Sequence, residues 1–150
     1  MDTDPHMKDI FALCNVIRET SFEIHRYLRH GHREQIYENA LVHRLRKQGI
    51  SVVQQPELRV YDEDGTIIGH LKADLLIEAR LICEIKGARN IVDEHIAQLL
   101  GYLRASRLEH GLLINFGGPR LQVKKLILSQ YLTGFILCFL CLFVAKNGFY

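Results

Sequence analysis

The chain has 150 residues, 48% of them apolar and 24% charged. That suits one domain with a sizeable core and excludes a disordered or low-complexity polypeptide. The net charge of +2 is too small to demand a polyanionic partner, although basic residues gather at His25, Arg26, Arg29, His30, His32 and Arg33, and again at His43, Arg44, Arg46 and Lys47. Such clusters serve equally as solvated helix faces or as phosphate-binding surfaces.

The N-terminus "MDTDPHMKDI" is acidic and lacks an apolar signal-peptide core, so a cytoplasmic protein is expected. Residues 8 to 29 carry apolar side chains at helical spacing (Ile10, Phe11, Cys14, Ile17, Phe22, Ile24, Leu28), and Gly31 breaks the pattern. A second helix is expected from about Arg33 to Gln48, stopped by Gly49. "SVVQQPELRVY", 51 to 61, alternates as a strand, with Pro56 indicating an edge position or a bulge. "DEDG" is a turn. One strand then runs to about Ile77, and "RLICEIK" forms another. "NIVDEHIAQLLGYLRAS" is an amphipathic helix, followed by a short buried strand, "GLLINF", and a last alternating strand, "RLQVKKLIL". The order is ααβββαββ. The strand at 81 to 86, the helix and the strand at 111 to 116 make a right-handed βαβ unit with parallel strands.

Within this α/β pattern, "HLKADLLIEARLICEIKGA" is unusual. Asp74 precedes an apolar run, and Glu84 and Lys86 are set into another. Alternate strand residues share a face, so Ile82, Glu84 and Lys86 point one way while Leu81, Cys83 and Ile85 point into the core. Asp74 reaches Glu84 only if the two lie opposite each other, which requires an odd-length connection such as Glu78-Ala79-Arg80, or a bulge. Two carboxylates beside an ammonium suit Mg²⁺, which keeps several waters and completes its shell from phosphate. Strand periodicity by itself favours a plainer reading, a Glu84–Lys86 pair on an exposed sheet face. Gln98 and Tyr102, four apart on the next helix, shift the balance, because an amide and a phenol there would hold a phosphate or the lysine.

Asp74, then Glu84-Ile85-Lys86, then Gln98 and Tyr102 together resemble the PD-(D/E)xK nuclease superfamily, particularly its RecB-like branch. Gly31-His32-Arg33-Glu34-Gln35-Ile36-Tyr37 is similar to the name-giving motif of the GxxExxY family, a bacterial and archaeal group of that superfamily. The resemblance covers roughly residues 10 to 128. It implies a restriction-endonuclease-like mixed sheet flanked by helices, with Asp74 and Glu84 as metal ligands and Lys86 as the catalytic lysine. Glu34 matches the first-helix acid and is implied as a further ligand; Glu38 is its rival, and Tyr37 is expected to pack. Gln98 and Tyr102 are implied substrate-binding residues. Ala73 stands where the superfamily's nominal proline would be, and His32-Arg33 makes the motif loop more basic.

The expected activity is hydrolysis of DNA phosphodiester bonds by metal-activated water, with Mg²⁺, or Mn²⁺ in its place. The alternative is a non-catalytic module that keeps the fold and binds nucleic acid or a protein partner. The domain is expected to end at residue 128, leaving 129 to 150 as an apolar tail in which Cys138 and Cys141 have CxxC spacing but no second ligand pair. An uncharged run from Leu126 to Ala145 approaches the roughly 20 residues that span a bilayer, but Ser129, Gln130, Thr133 and Gly134 dilute it. A C-terminal helix over 131 to 145, packed on the domain or joining copies of the chain, is preferred to a membrane anchor.

Overall fold

The computed structural model describes residues 5–129 and 138–141, and the side chains of residues 9–129. Two helices come first, α1 (Pro5–Leu28) and α2 (Glu34–Lys47). Strands β1 (Val52–Gln54), β2 (Glu57–Tyr61), β3 (Ile67–Lys72), β4 (Leu75–Ile77) and β5 (Leu81–Lys86) follow. Then come α3 (Asp93–Ser106), β6 (His110–Asn115), β7 (Gln122–Leu128) and β8 (Cys138–Cys141). The main sheet has the order β1-β4-β5-β6-β7-β8, and β2 and β3 form a separate two-stranded ribbon. β5 and β6 are parallel, as a βαβ crossover through α3 requires; the other pairs are antiparallel.

The sheet is buried on both faces. Ile17 and Ile24 of α1 and Leu41 and Leu45 of α2 pack on Leu75, Ile77, Leu81 and Ile85. On the opposite face Leu99 and Leu103 of α3 pack on Ile82, Leu113 and Leu126. Each of these side chains is fully buried and stabilises the fold by about 1.5–3 kcal/mol relative to exposure. The face of β5 that carries Ile82 and Glu84 is therefore a second core and not the exposed sheet face that strand periodicity implies.

Two expected strands are each broken in two. Residues 52–60 and 69–77 run antiparallel in one register, Val52 opposite Ile77 and Glu57 opposite Lys72, before a bulge at Val60-Tyr61 shifts it. Between these stretches the pairing survives as two bonds: the Gln55 N–H donates to the Asp74 carbonyl at 2.7 Å, and the Ala73 N–H donates to the Pro56 carbonyl at 3.2 Å. Pro56 has no N–H to return, and Gln55 adopts φ 52°, so the hairpin bends there and its far half leaves the sheet as the ribbon. The bend falls at Asp74.

A second correction concerns the tail. Residues 138–141 were expected within a C-terminal helix but form β8, pairing Leu128 with Cys138 and Lys125 with Cys141. The open edge of β7 offers unpaired N–H and C=O groups, and an apolar segment that adds a strand there satisfies them. The rest of the expected helix lies outside the described residues, as do the Cys138 and Cys141 side chains. No helix among the described residues is long and apolar enough to cross a membrane.

Candidate active site

The connection from β4 to β5 fixes the site. Glu78 and Ala79 both take left-handed backbone, φ 51° and 52°, and the Arg80 N–H closes the turn on the Ile77 carbonyl at 3.0 Å. These three residues join strands paired Ile77 with Leu81 and Leu75 with Cys83. One step further along, Asp74 falls opposite Glu84, as the odd-length connection requires. Because β4 begins at Leu75, the outer end of β5 has lost its neighbour on that side. The Ile85 N–H donates instead to Asp74 Oδ2 at 2.7 Å, and the Asp74 N–H donates to Glu84 Oε2 at 3.4 Å. The bend in the hairpin thus frees Asp74 from the ladder and turns its carboxylate onto β5.

Lys86 closes the group. Its Nζ donates to Glu84 Oε1 at 3.0 Å and to Gln98 Oε1 at 2.7 Å, and Gln98 Nε2 donates to the Tyr102 hydroxyl at 2.8 Å. One turn of α3 therefore holds the lysine by way of the amide, and Tyr102 holds the amide. Gln98 is exposed, whereas the Glu84 side chain is only 3% exposed and that of Lys86 12%.

Burial and like charge dominate the electrostatics. Burial, reinforced by Asp74, pushes the Glu84 carboxyl up to about 7, although Lys86 pulls the other way. Asp74 is also raised, first by burial, while its bond from the Ile85 N–H opposes the shift and the charges of Glu38 and Glu34 add to it. Tyr102 is raised by burial and by the facing Glu84. The site holds more negative charge than Lys86 neutralises.

Both acids of α2 act on Asp74, Glu38 more strongly than Glu34. Glu34 Oε1 accepts the Gly87 N–H at 2.9 Å, capping the exit of β5. Glu38 is buried and accepts from Gln54 Nε2 at 2.6 Å. Tyr37 packs: it is fully buried, its ring stacks on Phe116 with centroids 4.6 Å apart, and its hydroxyl donates to the Arg29 carbonyl.

Asn115 and Gln122, which the reading of the sequence passed over, hold the chain after Lys86. Asn115 Oδ1 accepts from the N–H groups of Ala88 and Gly117, and its amide donates to Gln122 Oε1 at 3.0 Å. Gln122 Oε1 also accepts the Ile91 N–H. The Phe116 N–H donates to the Lys86 carbonyl at 2.8 Å. A side chain at Gly117 would meet Ala88 O and Gly87 C at 2.3 Å, so only glycine lets these two loops touch. An asparagine inside the apolar "LLINF" was the available signal.

A family model described as the PD-(D/E)XK nuclease superfamily matches residues 12–126. The chain belongs to this superfamily. Its mixed sheet between helices is consistent with the restriction-endonuclease-like fold, and the match supports a nuclease-like domain. No curated protein and no solved structure matches the chain.

Nucleases of this superfamily generally use divalent metal ions, and the donors here fit one. Asp74 and Glu84 present hard carboxylate oxygens in a site short of positive charge, and Mg²⁺ needs only one or two carboxylates when water and phosphate complete its shell. Among the described residues no three His, Cys, Asp or Glu side chains converge into a fuller cage.

Proposed function

We propose that the chain is a metal-dependent nuclease that hydrolyses phosphodiester bonds in DNA, and that within its superfamily it is a GxxExxY protein of the RecB-like branch. The observation that carries this reading is the convergence of Asp74 and Glu84, with Lys86 bonded to Glu84 at 3.0 Å. Asp74 and Glu84 are the residues that would hold the cation, Mg²⁺ or Mn²⁺, with a carboxylate of α2, Glu34 or its rival Glu38, beside them. When bound, the ion supplies Lewis acidity toward the phosphoryl group and its attacking water.

The protein's own part is positional and electrostatic. Lys86, held by Gln98, directs an N–H at the water or at the phosphoryl oxygens and offsets the charge that builds as the water oxygen bonds to phosphorus and the ester P–O bond breaks. Gln98 and Tyr102 keep that ammonium from collapsing fully onto Glu84. In the same proposal residues 1 to 128 form the nuclease domain, and 129 to 150 are dispensable for chemistry.

The test is cleavage of DNA by the purified chain with Mg²⁺, with Mn²⁺ and with chelator. Cleavage that needs the ion and is lost in Lys86→Ala supports the proposal; activity equal in Lys86→Ala refutes the assignment of the site. The second reading is a non-catalytic nucleic-acid-binding module. That module would bind DNA and leave it intact under every metal condition.

A further inference from the structure

Beside the acids, α2 and β1 enclose a groove lined by Asn39, Val42, His43, Arg46, Lys47 and Gln54. Hydrogen bonds join it to the candidate site. Gln54 Nε2 donates to Glu38 Oε1 at 2.6 Å and to Asn39 Oδ1 at 2.8 Å. The next residue, Gln55, donates its N–H to the Asp74 carbonyl at 2.7 Å. Asn39 Oδ1 also accepts from Gln35 Nε2 at 3.1 Å. The amide side chains of Gln35, Asn39 and Gln54 thus form a bonded row beside Glu38, and the backbone of Gln55 ties it to Asp74.

Beyond the amides the lining is basic. Asn39, His43, Arg46 and Lys47 follow one another at helical spacing along one side of α2, and all four are exposed. Arg46 is positioned by a bond from its guanidinium to the Val52 carbonyl at 2.9 Å. No lining residue is acidic; the adjoining Glu38 is buried and bonded to Gln54. From Glu38 to Lys47 the helix rises about 13 Å, the axial length of about four base-pair steps. A line of donors leading away from paired acids, basic at its far end, is complementary to a sugar–phosphate backbone and to little else of regular charge.

We propose that this groove carries the sugar–phosphate backbone of the DNA substrate on one side of the scissile phosphate. His43, Arg46 and Lys47 contact phosphates there, and the Asn39 amide N–H donates to the stretch next to the acids. The proposal rests on the nuclease reading for the identity of its ligand, and it assigns the α2–β1 face as the side from which the duplex enters. It also gives the second basic cluster of the sequence a function beyond solvation.

Binding of a short fluorescent DNA duplex, followed by anisotropy in chelator so that no turnover occurs, tests it. Arg46→Ala/Lys47→Ala should weaken binding by about tenfold or more and lower the slope of log affinity against log salt by about 1.8, the loss of two phosphate contacts. Lys47→Glu, which disturbs no bond within the fold, should weaken binding by a similar factor. Arg104→Ala, on the opposite layer in α3, should bind like the parent. Parent-like affinity and slope in both groove variants, equal weakening in Arg104→Ala, or a parent that does not bind the duplex each overturns the proposal. Asp74→Asn separates the two readings. Groove-dependent binding with no cleavage by Asp74→Asn supports both. Groove-dependent binding in a protein whose Asp74→Asn form cleaves like the parent supports the track and removes the active-site assignment.

Discussion

Two strands of this sheet bury a charge to the same degree and with opposite consequences. Glu84 on β5 and Lys125 on β7 are each 3% exposed, and each interrupts an apolar strand. Lys125 lies beneath α1 with its ammonium 3.5 Å from the centre of the Phe11 ring, a cation–π contact, and beside Cys14, whose thiol it pulls down against the upward push of burial. Glu84 faces Asp74, a like charge, and its one cation, Lys86, is shared with Gln98. The first arrangement is settled by its surroundings; the second is left with an excess of negative charge. What distinguishes a working charge from a structural one here is whether its neighbours satisfy it.

The largest effects should fall on catalysis. Lys86→Ala should lower DNA cleavage by about 10²–10³-fold, the cost of losing one donor aimed at developing charge, in a chain that still folds. Lys125→Ala should do the reverse. It should cost about 2 kcal/mol through the cavity it leaves and keep the cleavage rate per folded molecule. Lys125→Met, which refills the space, should recover most of that stability. A Lys125→Met protein that melts normally but no longer cleaves would erase the contrast between the two strands.

The pH dependence of stability sharpens the contrast. Glu84 is held near 7 in the folded chain, above its ordinary 4.5. Between those values the native state binds the extra proton, so stability falls as pH rises. The contribution is fully present below about 4.5, is lost through about 7, and amounts to about 3 kcal/mol. Asp74, also raised, adds in the same direction. Urea denaturation in chelator should therefore show the parent losing stability from acid to mildly alkaline pH relative to Glu84→Gln, in which only the Asp74 contribution remains. A divalent ion should return the loss on the alkaline side, where the carboxylate is ionised, and do little on the acid side. Parent and Glu84→Gln with parallel pH profiles would mean that the site is not under charge stress.

The smallest effect is expected from Gln98→Ala. It frees Lys86 from α3 without removing it, so cleavage should fall by about tenfold, the low end for loss of an orienting contact, with melting unchanged because Gln98 is exposed. Gln98→Glu should keep a hydrogen-bond acceptor for the ammonium and recover part of the rate. Loss of stability in Gln98→Ala would show the amide to be a packing element instead.

Much of this site was legible because period-two alternation and a three-residue connection leave little choice of register. Glu78-Ala79-Arg80 sets Asp74 opposite Glu84 wherever the strands pair as observed, and the four-residue spacing of Gln98 and Tyr102 puts both on the turn of α3 nearest Lys86. The bend was only half legible. Pro56 marks one arm of the hairpin, but Ala73-Asp74 on the other has neither proline nor glycine, so the break appears only when both arms are paired. The amides Gln54, Asn115 and Gln122 escaped notice because their partners are distant in sequence. Glu34 and Glu38 could not be ranked from spacing, since both lie on the inward side of α2. The segment 138–141 reads as helix from its apolar composition, and only the open edge of β7 makes it a strand.

The most direct test of the central claim, that Asp74 and Glu84 form a cation site and not a structural ion pair with Lys86, is anomalous diffraction from crystals of the chain grown with Mn²⁺. A strong anomalous peak is expected beside the Asp74 and Glu84 carboxylates, absent from Asp74→Asn crystals grown in the same way. No peak beside those carboxylates in well-ordered crystals, with Lys86 still bonded to Glu84, would contradict that claim.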